Sequence, residues 1–175
     1  ARQAQIKLAS DGAGLLKGKR EALFKELLAR ARELRGLRHE LHRRGRSAVL
    51  ALAMARAVQG THDVESTAIA ARRELSVDVH FQKIWGLALS EVEHSDIVRR
   101  HQDRGVGLLD CSSHVLEAAQ AAELMLEQLV KCAPIEKNIQ ILGQEVRSVS
   151  RRINALEDYL LPRLRNDVRL IKRVL

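Results

Sequence analysis

The chain has 175 residues and a formal net charge of +8, and only four of its residues are aromatic. A compact globular core usually depends on large aromatic side chains for buried area, so this composition disfavours such a core. The apolar fraction of 46% is ordinary, which argues against intrinsic disorder. Together these features favour an elongated helical protein.

Charge is distributed unevenly along the sequence. Residues 1–60 contain 14 Lys and Arg and 5 acids, residues 61–131 contain 7 and 12, and residues 132–175 contain 9 and 5. The two ends are therefore basic and the middle is acidic, which predicts different neighbours for each. The alternative is that long basic side chains only flank apolar helix seams with their aliphatic stems.

Other sequence signals point to a cytoplasmic protein. The two cysteines, Cys111 and Cys132, match no zinc or redox spacing and suit a reducing compartment. No apolar run approaches the roughly 20 residues that a membrane-spanning helix needs. The first residues also lack the apolar centre of a signal peptide.

The N-terminal segment, residues 1–59, is predicted to form one long helix. Apolar side chains recur every seven residues, a period that keeps one face of a helix against a partner helix. One register contains Ile6, Ala13, Leu27, Leu34, Leu41, Ala48 and Ala55.

The middle segment, residues 60–131, is predicted to be a small lobe with a β-hairpin and a short helix. Val77, Val79 and Phe81 alternate with polar residues, which indicates a half-buried strand, and a returning strand is expected after Gly86. A helix is then expected over about 114–130.

The C-terminal segment, residues 132–175, is predicted to form a second long helix that begins at Pro134, since proline suits the first turn. Its seam contains Ile135, Ile139, Leu142, Val146, Val149, Ile153, Leu156 and Leu160. Pro162 interrupts this pattern, so the helix should bend or loosen there. The predicted fold class is mainly α, with a long antiparallel two-helix coiled coil formed by the terminal helices.

Antiparallel pairing makes the numbers of facing residues add up to a nearly constant sum, here near 174. Lys17, Lys19 and Arg20 should then lie close to Glu157 and Asp158. Exposed ion pairs of this kind set the pairing register more than they stabilise it. The residues expected to define this register are Leu16, Asn154, Leu156, Glu157 and Pro162.

No catalytic, cofactor-binding or metal-binding residues are predicted. His39 and His42 lie three apart on a helix, but no carboxylate or cysteine completes a metal site. No glycine-rich phosphate loop occurs either. The chain alone is therefore predicted not to be an enzyme, and a basic coiled-coil scaffold or nucleic-acid-binding protein stays an alternative function.

Two motifs carry a resemblance to a known family. The segment 15–23, Leu-Leu-Lys-Gly-Lys-Arg-Glu-Ala-Leu, resembles a signature near the N-terminus of the D subunit of the V-type and archaeal-type rotary ATPases. The segment 151–157, Arg-Arg-Ile-Asn-Ala-Leu-Glu, followed by Pro162-Arg163-Leu164, resembles a second signature of that family. In the middle, only Ile84-Trp85-Gly86 resembles the family, and loosely.

The resemblance implies a central-stalk rotor subunit that transmits torque between the catalytic hexamer of A and B subunits and the membrane ring. The complex would move protons or sodium ions during ATP synthesis or hydrolysis. Expected partners are the A, B and F subunits and the socket subunit that joins the ring, with no direct nucleotide binding, no specific nucleic acid and membrane contact only through the complex. The residues expected to couple rotor to stator are Lys17, Lys19, Arg20, Arg147, Arg151, Arg152, Arg163 and Arg165.

Overall fold

The computed structural model describes residues 2–104 and 111–174. Four α-helices and one hairpin account for most of these residues: α1 (Arg2–Gln59), α2 (Thr61–Ala70), β1 (Val77–Ile84), β2 (Leu87–His94), α3 (Ser113–Asn154) and α4 (Leu161–Val174). A short 3-10 helix spans His101–Arg104 and a π-helical turn spans Ala155–Leu160. The predicted mainly α fold with a small hairpin is confirmed.

Two compact units share these elements. The terminal unit comprises Ala1–Ala31, Lys83–Leu87 and Asn138–Leu175, and the central unit comprises Arg32–Gln82 and Ala88–Lys137. Both long helices, α1 and α3, contribute residues to each unit. The division into three domains at residues 59 and 131 stays a prediction.

The terminal unit pairs the start of α1 with the end of α3 in antiparallel orientation. Lys17 Nζ lies 2.6 Å from a carboxylate oxygen of Glu157, and Lys19 Nζ lies 2.8 Å from one of Glu145. As residue numbers increase along α1, the numbers of the residues they contact on the opposite helix therefore decrease. The core between them is an apolar seam whose most buried members are Leu23, Leu142, Val149 and Ile153.

The central unit repeats this antiparallel pairing with other residues. Arg38 forms an ion pair with Glu136, and their numbers add up to the predicted 174. Gln128 donates a side-chain hydrogen bond to the carbonyl of Leu37, again across the pair. The apolar core of this unit is built largely from small side chains: Ala55, Val64, Cys111, Val115 and Ala118.

Helix α2, which the sequence did not predict, follows α1 almost without interruption. Gly60 separates the two helices with φ 90°, a conformation that side chains other than glycine rarely adopt. Its N–H still donates to the carbonyl of Arg56, and Val64 N–H donates to the carbonyl of Gly60. Glycine therefore redirects the chain while the hydrogen bonds of the helix end remain satisfied, and Val64 enters the core.

The predicted helix start at Pro134 is wrong. Helix α3 runs through Pro134 without a break from Ser113 to Asn154. An internal proline removes one backbone hydrogen bond and costs about 3 kcal/mol. Cys132 and Ile135, on either side of it, are both buried, so packing of the continuous apolar face compensates for the proline.

The predicted disturbance near Pro162 takes the form of the π-helical turn. Leu161 N–H donates to the carbonyl of Leu156, five residues back, which widens the helix just before the proline. A wider turn relieves the clash that a proline ring makes with the preceding carbonyl. The turn also accommodates one extra residue, which shifts the buried face of the helix by one position. Leu161 is therefore buried in the seam at 8% exposure, whereas the predicted seam residue Leu160 is 41% exposed.

The hairpin closes through a two-residue turn in which Trp85 and Gly86 both have positive φ, 54° and 81°. That pair of conformations matches the right-handed twist of antiparallel strands. Beyond the strands, Ser95 N–H donates to the carbonyl of Ser76, which extends the pairing. The predicted half-buried strand is wrong in its burial: β1 is exposed along almost its whole length, whereas Leu89 of β2 is buried.

Candidate functional site

Five of the predicted coupling residues lie on the surface of the terminal unit. Arg147, Arg151 and Arg152 of α3 and Arg163 and Arg165 of α4 are all exposed. In the part of the chain that the structure describes, none of the five has an ion pair within 4.0 Å. Arg147 and Arg151 are four residues apart, so they project from one face of α3.

Lys17 and Lys19 belong instead to the helix pairing. Glu157 and Lys17 form the ion pair that the sequence predicted. Lys19 pairs with Glu145 rather than with Glu157 or Asp158, so that part of the prediction is wrong. The Lys19 side chain remains 33% exposed. Its partner on the opposite helix has a lower residue number than the sequence predicted.

Arg20 lines a shallow groove of about 460 Å³ with Glu21, Phe24, Lys25, Val146 and Ser150. A second groove of about 530 Å³ contains Arg147 and Arg151 together with Gln144, Val146 and Ser150. Val146 and Ser150 are common to both grooves. The structure thus brings Arg20, Arg147 and Arg151 around one patch of α3, which we call the arginine grooves.

Phe24 is a residue of this surface that sequence reasoning missed. It is 49% exposed in the groove that contains Arg20. Its ring adds apolar area to a groove that also contains the charged Arg20, Glu21 and Lys25. It went unnoticed because a helical apolar pattern cannot distinguish a seam residue from one on the adjacent face.

The predicted register residues occupy different environments. Leu16 and Leu156 are half-buried, whereas Asn154 and Pro162 are exposed. Of the five, Glu157 forms an ion pair with the opposite helix, through Lys17. The roles of the other four in setting register stay predictions.

A second polar cluster, absent from the predictions, lies in the central unit. Glu123 of α3 accepts hydrogen bonds from Arg99 Nε at 2.8 Å and from Arg104 Nη2 at 2.9 Å. The backbone N–H of Arg99 also donates to Glu123, and the Arg99 guanidinium reaches the carbonyl of Ala71. We call Arg99, Arg104 and Glu123 the buried charge cluster, because their side chains are only 2–16% exposed.

Burial alone would raise the pKa of Glu123, because it disfavours the charged form. The hydrogen bonds from Arg104 and Arg99 outweigh that effect, so the pKa of Glu123 is lowered from its ordinary value. The carboxylate is thus ionised at neutral pH. It connects α3 to the segment that follows the hairpin and, through Arg99, to the end of α2.

Two further properties concern the described residues as a whole. No group of three or more His, Cys, Asp or Glu residues within 2–104 and 111–174 is placed to hold a metal ion. Over those same ranges, no helix has a stretch both apolar and long enough to cross a lipid bilayer.

The fold defines a class of helical protein in which N- and C-terminal helices pair antiparallel and a hairpin lies between them in sequence. A family profile that describes the D subunit of ATP synthase matches residues 1–175. The chain therefore belongs to the ATP synthase D-subunit family, and the resemblance seen in the two terminal motifs is confirmed.

Individual relatives are named as D subunits of both V-type and A-type ATP synthases. The chain is 38% identical over 157 residues to the V-type ATP synthase D subunit of Anaeromyxobacter sp. (strain Fw109-5), which covers 90% of this chain and 73% of the relative. It is 31% identical over 169 residues to the A-type ATP synthase D subunit of Pyrococcus furiosus, covering 97% and 79%. The V-type D subunit of Deinococcus deserti is also 31% identical, over all of this chain and 77% of its own length.

Proposed function

We propose that this chain is the non-catalytic central-stalk rotor subunit of a proton- or sodium-translocating V/A-type ATP synthase. Membership of the D-subunit family supports the place of this chain in a rotary ATPase complex. The proposal adds that the chain acts there as the rotor. The rotor would transmit torque between a catalytic hexamer of A and B subunits and a membrane ring. The F subunit and a socket subunit at the ring would be its other partners.

The observation that carries the proposal is the antiparallel helix pair of the terminal unit. A shaft that transmits torque must resist twisting, and two helices locked along a common apolar seam resist it better than one. Leu142 and Val149 are completely buried in that seam, one heptad apart. The ion pairs of Lys17 and Lys19 hold the two helices in one register.

The arginine grooves supply a surface suited to successive weak contacts. Arg147 and Arg151 are exposed and have no ionic partner among the described side chains, so acidic groups of a stator subunit can pair with them. Exposed ion pairs contribute only about 0–1 kcal/mol each. Weak contacts allow the rotor to leave one angular position for the next, whereas strong ones would hold it.

The direct test is rotation of a labelled chain in the assembled complex. The stator is immobilised through its A subunits, an optical bead is attached to this chain, and ATP is added. The proposal predicts continuous rotation in one direction. A bead that stays fixed while the complex hydrolyses ATP would place this chain in the stator and overturn the proposal.

The arginine grooves are tested in the same assay with Arg147→Gln and Arg151→Gln together. We expect a loss of up to about thirtyfold in rotation rate under load, because exposed pairs contribute at most about 1 kcal/mol each and two are removed. Arg32→Gln with Arg35→Gln is the matched control, since both residues are exposed on α1 outside the grooves. Equal loss in the two variants would assign the effect to net charge rather than to the grooves.

A further inference from the structure

An open cleft in the central unit has no role in the proposed function. Its volume is about 630 Å³, and its lining comes from the end of α2, the segment after the hairpin and the 3-10 helix. Five arginines and two aspartates account for its charged residues: Arg72, Arg73, Arg99, Arg100, Arg104, Asp96 and Asp103. The remaining lining residues are Ala70, Ala71 and Val98.

Three of the five arginines are held in place by the protein. Arg99 and Arg104 share the carboxylate of Glu123. Arg73 donates to the backbone carbonyls of Asp96 and Ile97, at 2.5 and 2.8 Å. These contacts fix the walls of the cleft and explain why guanidinium groups are found there.

Arg72 and Arg100 are different. Both are exposed at the cleft, and neither forms an ion pair within 4.0 Å with a described side chain. The carboxylate of Glu123 neutralises only one of the two positive charges of Arg99 and Arg104. Asp96 and Asp103 do not balance the arginine charges that remain, so the cleft has a net positive charge. Such an excess of positive charge attracts anions to the cleft.

We propose that this cleft binds a phosphate-type oxyanion, inorganic phosphate or pyrophosphate, through Arg72 and Arg100. The planar guanidinium fork donates two parallel hydrogen bonds to phosphate oxygens, and every cation among the described lining residues is an arginine. Fixed neighbours lower the entropy lost on binding, because the walls need not reorganise. The site needs no glycine-rich loop, since side chains rather than backbone amides supply the donors.

The lining also excludes a nucleotide as the preferred ligand. None of the ten lining residues that the structure describes is aromatic, and the apolar ones among them are two alanines and one valine. A nucleobase would therefore find no aromatic ring to stack on. The described lining thus favours recognition of the phosphate groups alone.

The test is calorimetric titration of the full chain with sodium phosphate, sodium pyrophosphate and ADP, at constant ionic strength set with chloride. Phosphate and pyrophosphate should bind at a single site, and ADP should bind no more tightly than pyrophosphate. The double variant Arg72→Gln, Arg100→Gln should bind pyrophosphate at least about tenfold more weakly, the loss expected for charge-assisted hydrogen bonds. The thermal unfolding of this variant should match that of the parent chain, since both side chains are exposed.

Arg46→Gln with Arg56→Gln is the charge-matched control, because both are exposed arginines of α1 outside the cleft. This control should bind pyrophosphate as the parent chain does. The proposal is overturned if neither anion binds, if the control loses as much affinity as the double variant, or if ADP binds tenfold more tightly than pyrophosphate. None of these outcomes bears on rotation, so the rotor proposal stands or falls separately.

Discussion

In the terminal unit the completely buried side chains are those of Leu23, Leu142 and Val149, whereas the central unit buries the charged Glu123 and Arg104 to 9% and 3% exposure. An apolar seam tolerates exchange among Leu, Ile and Val, because side chains of similar volume repack at little cost. A carboxylate held by two guanidinium groups accepts only one arrangement, because displacement leaves a buried charge unpaired. The terminal unit thus relies on the shape of the apolar seam between α1 and α3, whereas the central unit also uses charge to connect α3 to the segment after the hairpin.

The substitution Glu123→Gln tests this contrast most directly and has the largest expected effect. Removing the carboxylate charge leaves Arg99 and Arg104 buried without their counter-ion, and we expect a loss of about 4 kcal/mol in the free energy of unfolding. Urea denaturation of the full chain measures it. Glu136→Gln is the matched control on the same helix, because Glu136 pairs with Arg38 at the surface, and it should cost less than about 1 kcal/mol.

In the terminal unit the corresponding change is Leu142→Ala. Leu142 is completely buried, so truncation removes apolar contacts and leaves a cavity, at a cost of about 3 kcal/mol. The same denaturation experiment compares it with Leu170→Ala, whose parent side chain is 60% exposed. If both truncations cost the same, the apolar seam is not what holds the terminal unit together.

The lowered pKa of Glu123 makes the contribution of the buried charge cluster to stability depend on pH, unlike that of the apolar seam. A carboxyl group whose pKa is lower in the folded state stabilises the protein above its unfolded-state pKa, and this contribution is lost as the pH falls through the folded-state pKa. The parent chain should therefore be more stable than Glu123→Gln at pH 7, and the difference should shrink below about pH 4.5, the ordinary value for glutamate. Measuring both proteins at each pH removes the contribution of other carboxylates such as Glu40, whose pKa is lowered to about 2 by hydrogen bonds from Arg43 and Arg44. A difference that stays constant down to pH 3 would contradict this linkage.

The smallest expected effect is that of Lys17→Ala. Its pair with Glu157 is 45% and 38% exposed, so solvent screens the attraction and the loss should be about 0.5 kcal/mol. A double-mutant cycle with Glu157→Gln isolates the pair, and its coupling energy should decline with added salt. A coupling energy above about 2 kcal/mol would mean that charge matters as much in this unit as in the central one.

Much of the helical architecture could be predicted from the spacing of apolar residues. Residues 13, 34, 48 and 55, all in one heptad register, are buried, and the sum of 174 located the Lys17–Glu157 pair. The continuous path of α3 through Pro134 could not be predicted, because local preference for a helix start competes with packing on both sides. The exposure of β1 was also missed, since alternation shows that a strand has two faces but not that something covers one of them.

The candidate sites were predictable to different degrees. Exposed arginines of the arginine grooves follow from a basic helix face, although their convergence with Phe24 does not. The buried charge cluster had almost no signal, because Arg99 and Arg104 lie in a segment without periodicity. Only the position of Glu123, on the helix that also contains the buried Val115 and Ala118, hinted at a buried carboxylate.

The π-helical turn at Ala155–Leu160 has a consequence for variation in chain length. Each residue added to or removed from an α-helix rotates all that follows by about 100° about the axis, which would turn a buried face toward solvent. A π-helical turn already contains one surplus residue, so deletion of the exposed Tyr159 would convert it to an ordinary helix and leave Leu161 and Leu164 facing their partners. The C-terminal helix can therefore lose one residue within this short stretch, and its buried face still points toward the same partners.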